Sequence, residues 1–212
     1  MNNDNFYTPK AEELFKTKTT EQIIKKGSKQ KFSDLFEWCD VISISLICVI
    51  ILFSFCFKVV RISGDSMLET LHSNEMVIIT DLGYTPKAGD IVVISRNVEN
   101  SAETISAADG PIIKRVIATE NQEVDIRGGK VYVDGQELNE DYLTYSYTQP
   151  SDVEFPLTVP KGHIFVLGDN RPCSLDSRRS SLGDNGMIDS RYVLGHAIFR
   201  VFPFAKFGSL NK

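Results

Sequence analysis

A mainly β domain standing behind one N-terminal transmembrane helix is the fold class this sequence predicts. Two observations carry the prediction. Residues 41–57 form an uncharged apolar run, and beyond it come short β-rich runs separated by turn residues, with no helical segments alternating between them. The chain has 212 residues, enough for one ordinary domain plus an appendage. Its 23 Lys and Arg stand against 28 Asp and Glu, a formal net charge of −5. There is no basic excess of the kind that nucleic acid requires, so no nucleic acid is expected as a partner.

Three parts follow in order: residues 1–37 as an N-terminal tail, 38–60 as the membrane anchor and 61–212 as the β domain. The tail is polar, rich in Lys, Glu, Thr and Asn. The apolar run sits at the short end of what spans a bilayer as a helix. Val59 and Val60 extend it if Lys58 snorkels its amine to the interface, and Trp38 suits the headgroup region at the other end. A core helix would be amphipathic or shorter. A cleavable leader would exit through small residues, whereas this run leaves through Phe53-Ser54-Phe55-Cys56-Phe57. Lys25, Lys26, Lys29 and Lys31 precede the anchor and only Lys58 and Arg61 follow it closely. The N-terminus is therefore expected in the cytoplasm, with everything after the single anchor outside it. Cys39, Cys48 and Cys56 lie in or beside the anchor, leaving Cys173 alone in the outer part. A lone thiol cannot staple a domain, so a hydrophobic core must hold it together.

In the outer part, residues 75–80, 90–95, 112–118, 123–126, 130–133, 164–167 and 193–201 read as strands, and 97–111 as a polar loop. Arg127-Gly128-Gly129 is a hairpin signal, because glycine tolerates positive φ. Without alternating helices a parallel βαβ arrangement is not expected.

Three segments could carry chemistry. Ser63-Gly64-Asp65-Ser66-Met67-Leu68-Glu69-Thr70-Leu71 follows the anchor directly. A serine among short, flexible neighbours can sit on a turn with its hydroxyl exposed and backbone N–H groups nearby, as an acyl-transfer nucleophile requires. The same letters also describe many ordinary turns. The histidines of the outer part, His72, His163 and His196, have no context that marks a base. A lysine can serve instead if burial favours its neutral form. In Ile112-Ile113-Lys114-Arg115-Val116-Ile117, a strand places Lys114 on one face with Ile112 and Val116 and turns Arg115 to the other. The pattern leaves open which face is buried; a strand with two solvent-facing or snorkelling cations is the more common case. The third segment, Gly168-Asp169-Asn170-Arg171-Pro172-Cys173-Ser174-Leu175-Asp176-Ser177-Arg178, packs hydroxyls, carboxylates and guanidinium groups together. It can build an ion-paired network around an amine, or be a polar loop with internal salt bridges.

Taken together and in this order, the segments resemble type I signal peptidases, in particular the short single-anchor form of Gram-positive bacteria. The likeness covers Gly64–Leu71, Gly89–Val93, Lys114–Ile117, Gly129–Gly135, Gly168–Arg178 and Phe199–Phe204. It implies a mostly antiparallel extracytoplasmic β domain of the signal-peptidase type and a serine endopeptidase that removes signal peptides from exported preproteins after small residues. Ser66 would be the nucleophile and Lys114 its general base, acting through an acyl-enzyme. Gly64, Asp65 and Met67 would shape the nucleophile turn and its oxyanion site. Ser174 would orient the lysine amine, with Asp169, Asp176, Arg178 and Arg115 in support. Preproteins, the lipid bilayer and the secretion translocon are the partners implied; no metal or organic cofactor is.

Glu69 departs from the proline usual in this family, Ala118-Thr119-Glu120-Asn121-Gln122 replaces a Gly-x-Pro-Gly-Asp stretch, and His196 stands where Arg is common. Two rival readings are a self-cleaving repressor with the same Ser-Lys chemistry and a catalytically impaired relative acting as a membrane-anchored binding or scaffold protein. The apolar anchor and the lack of a helix-turn-helix pattern oppose the first. Retention of the serine, the lysine and the whole polar segment opposes the second.

Overall fold

The computed structural model describes residues 36–54, 56–95, 111–143 and 145–210. The tail before Phe36 and the loop expected at 97–111, apart from Pro111, lie outside them. The chain divides into two compact units, Met1–Phe53 and Ser54–Lys212.

Helix α1, Phe36–Ser54, makes up the described part of the first unit and ends on the first residue of the second. Its 19 residues give a length of about 28 Å at 1.5 Å per residue, enough to cross the hydrocarbon core of a bilayer. All of its side chains are exposed in the described structure. Val59 and Val60, expected to extend the span, lie instead in a strand, β1 (Lys58–Arg61). There they pair with Ile78 and Val77, and Lys58 binds Asp81 at 2.9 Å. Two consecutive β-branched residues suit that pleated ladder better than another helical turn.

The second unit is built on antiparallel strands. β2 is Met76–Thr80, β3 Ile91–Ile94, β4 Ile112–Thr119, β9 His163–Leu167, β10 Ile188–Asp189 and β11 Val193–Phe202. With β1 they form a sheet in the order β1-β2-β11-β3-β4-β9-β10, and β12 (Gly208–Ser209) also pairs with β11. A smaller sheet runs β7-β6-β5-β8, from β5 (Glu123–Arg127), β6 (Lys130–Val133), β7 (Gln136–Glu137) and β8 (Leu157–Thr158). The β5–β6 hairpin turns through Gly128 and Gly129, whose φ angles of 59° and 82° meet the demand of a two-residue turn for positive φ at both positions.

β4 is packed on both sides, and Ile113–Ala118 are all buried, the cations Lys114 and Arg115 among them. Ile113 joins a cluster with Met67, Leu71 and Val77, while Val116 joins another with Val92, Ile164 and Val166. A register shift between Val116 and Ala118 then directs both Ile117 and Ala118 toward Val124 and Phe165, linking the two sheets through a shared core. The sheet thus buries both faces of the strand that carries Lys114.

Candidate active site

Ser66 opens a turn that runs to Thr70. Gly64, at φ +86° and exposed, lets the chain bend into it, and no side chain with a Cβ takes that φ readily. Met67 and Leu71 are both 0% exposed and plug the turn into the core, and the Leu71 N–H donates to the Met67 carbonyl at 2.8 Å. With the apolar side chains pointing inward, Ser66 is left half-buried at the surface.

Lys114 reaches that serine from the middle of β4. It is 3% exposed, and its Nζ donates to Ser66 Oγ at 2.8 Å and to the Ile113 carbonyl at 3.0 Å. A hydroxyl and an amine in hydrogen-bond contact, the amine buried in a strand of Ile and Val, have the geometry that a nucleophile and its base require.

The segment after β9 braces the pair. Its Asn170 backbone N–H and side-chain Nδ2 donate to the Ser66 and Asp65 carbonyls, both at 2.9 Å. Asp169, 1% exposed, takes a bidentate pair from Arg115 (2.9 and 2.6 Å) and a bond from Thr70 Oγ1 at 2.5 Å. Arg115 also donates to the Gly89 carbonyl at 2.9 Å and lies 3.9 Å from the centre of the Tyr142 ring. Burial works to lower its pKa, but the bond and charge of Asp169 outweigh that and the net shift is upward. Tyr142 shifts upward too, through burial and then the Glu140 charge. Asp176, fully buried, takes both ends of the Arg178 guanidinium (2.7 and 2.9 Å) and the Gly168 N–H (3.1 Å). Such fork-to-carboxylate pairs fix orientation as well as charge.

Ser174 is placed differently from the expectation. Its Oγ is buried with no hydrogen-bond partner among the described residues, rather than bonded to the lysine. It lies against Gly168, where an added Cβ would come within 2.2 Å of it. The lysine amine is meanwhile turned to Ser66 and to its own strand's carbonyl.

A profile of the family described as "Signal peptidase, peptidase S26" matches residues 35–202. The chain belongs to this family. Curated relatives agree with that placement. A probable signal peptidase I-1 of Synechocystis sp. is 33% identical over 175 residues, covering 81% of this chain and 84% of its own. Signal peptidase I of Bacillus licheniformis is 32% identical over 192 residues, covering 86% of this chain and 96% of its own. A crystal structure of a signal peptidase I from Enterococcus faecalis is 30% identical, covers 53% of this chain and 97% of that one, and superposes with a TM-score of 0.41.

All ten residues singled out from the sequence lie on the turn or the two residues before it, on β4 or on the loop after β9. Reading the sequence passed over four more. Asn170 was visible within the polar segment but given no task. Thr70 lies in the nucleophile motif. Arg200, which reaches Thr70, and Glu75, which pairs with Arg200, are 125 positions apart, and no local spacing pairs them.

Proposed function

We propose that this chain is a membrane-anchored serine endopeptidase that removes N-terminal signal peptides from exported preproteins, cutting after small residues. One observation carries the reading: the buried Lys114 amine lies 2.8 Å from the Ser66 hydroxyl. Ser66 Oγ attacks the scissile carbonyl while Lys114 takes its proton. The backbone N–H of Ser66 helps hold the developing oxyanion. Lys114 then delivers the proton to the departing amine, leaving an acyl-enzyme. It next activates a water, which releases the signal peptide as a free carboxylic acid and restores the serine. For these steps Lys114 must start neutral, and burial penalises its charged form. Arg115, Asp169, Asp176 and Arg178 hold the loop and the strand in register. Orientation of the amine is assigned to Ser174 on the likeness to the family, since its hydroxyl is not bonded to the amine here. Shallow apolar pockets accept small side chains, chiefly Ala, at the first and third residues before the cut.

Helix α1 anchors the chain in a single pass, with the N-terminus in the cytoplasm and the β domain outside. Ser66 follows Phe57 by nine residues, which keeps the nucleophile near the outer membrane surface where a preprotein's own apolar segment ends. The bilayer and the translocon that delivers the preprotein are its working surroundings. The test is cleavage of a synthetic preprotein segment by the full-length enzyme in detergent, beside Ser66→Ala and Lys114→Ala. Cutting by wild type alone, with both variants folded, is the expected result. A wild type inert on several precursors would overturn the reading in favour of a binding or scaffold role.

A further inference from the structure

Glu75, in the connection that enters β2, is 3% exposed. Three basic side chains surround its carboxylate. Arg200 Nε lies 3.0 Å from Oε2, and Lys206 Nζ and His72 Nδ1 each lie 3.6 Å from Oε1. These are charge contacts rather than aligned hydrogen bonds: Glu75 Oε2, His72 Nδ1 and Arg200 Nε are all buried without a hydrogen-bond partner. A buried carboxylate survives only when opposite charge stands close to it, so Glu75 and Arg200 hold each other in place.

The other end of Arg200 gives the cluster a second task. Its NH2 donates to the Thr70 carbonyl at 2.5 Å. Thr70 closes the turn that Ser66 opens, and its hydroxyl is already bonded to Asp169. The turn is therefore held at both ends. Asn170 grips the Asp65 and Ser66 carbonyls at the start, and Arg200 and Asp169 grip Thr70 at the finish. Ser66 Oγ must stay within reach of an amine that β4 has fixed from a different part of the chain. A shift of about 1 Å between reacting groups costs on the order of 100-fold in rate.

We propose that Arg200, held by Glu75, is a positioning residue that sets the Ser66 turn against Lys114. Its contacts run to Glu75 and to the Thr70 carbonyl rather than to Ser66 Oγ or Lys114 Nζ. The inference rests on the peptidase reading above.

The experiment compares full-length wild type, Arg200→Ala, Arg200→Lys and Val124→Ala in detergent on a synthetic preprotein segment. The readouts are kcat, KM and the thermal midpoint. Val124 is fully buried in the smaller sheet and touches no part of the turn, so it reports what general destabilisation does. Arg200→Ala is expected to lower kcat about tenfold or more, with KM within about twofold of wild type. Arg200→Lys keeps the charge toward Glu75 but loses the fork, and should fall between the two. Val124→Ala should lower the midpoint and leave kcat alone. If Arg200→Ala does not fold, Arg200→Lys decides the matter. Wild-type kcat in whichever Arg200 variant folds overturns the inference, as does a loss no larger than Val124→Ala shows at an equal midpoint. An inert wild type removes the peptidase reading itself and is thereby told apart from both.

Discussion

Gly168 leaves no room for even a methyl group. A Cβ there would stand 2.2 Å from Ser174 Oγ and 2.5 Å from the Ser66 carbonyl oxygen. The serine hydroxyl can rotate away, but the carbonyl belongs to the backbone of the nucleophile itself and is held by Asn170. Gly168→Ala is therefore expected to lower kcat by about 100-fold through displacement of Ser66, in a protein that still folds; kinetics alongside circular dichroism check it. Ser174 makes a contrasting case. Its hydroxyl breaks no hydrogen bond on removal, so Ser174→Ala should keep the denaturant midpoint of wild type, whereas orientation of the lysine predicts a fall in kcat of about tenfold. The pH profile isolates Lys114. Tyr142 and Tyr84 are both shifted upward, by burial and then by Glu140 and Asp90 respectively, so their phenols stay neutral through pH 10; Arg115 stays charged. If Lys114 serves as a neutral base, kcat/KM should rise between pH 6 and pH 10 as its amine loses a proton. A flat profile would remove Lys114 as the base.

Among the elements, β4 and the loop after β9 are joined by the Arg115–Asp169 pair, whose side chains are 11% and 1% exposed. Asp169→Asn removes the charge that this buried guanidinium needs, at a cost of about 3–5 kcal/mol, read as a lowered denaturant midpoint. Replacing an exposed pair such as Lys130–Glu137 should leave the denaturant midpoint close to that of wild type. The same elements show how far sequence reading reached. Seven runs of branched and aromatic residues marked the longer strands to within a residue or two, because apolar alternation and Gly or Pro boundaries are local signals. β7, β8, β10 and β12 have two residues each, too short for any period to register. β1 was absorbed into the apolar run because Val59 and Val60 suit a helix span and a strand alike. At the site, the serine, the lysine and the polar segment were legible from order and residue type. The buried state of both β4 faces was not, since it depends on what packs from far along the chain, and neither was the Glu75–Arg200 pair.

At the scale of the molecule, stability comes from the core and not from cross-links. Cys39, Cys48, Cys56 and Cys173 are all free, so reductant should leave the thermal midpoint and the activity unchanged. The order of the large sheet has a further effect. β11, drawn from the last twenty residues, lies between β2 and β3 and is the neighbour of both. The turn with Ser66 leads into β2, while Lys114 is joined to β3 through β4. Until β11 arrives, the part of the sheet next to Ser66 and the part that carries Lys114 have no ladder between them. A chain cut short at residue 192 should accordingly be inert and poorly folded. In a nascent chain the same arrangement should delay assembly, because the β1–β2 and β3–β4 pairs can be bridged only after β11 has been made.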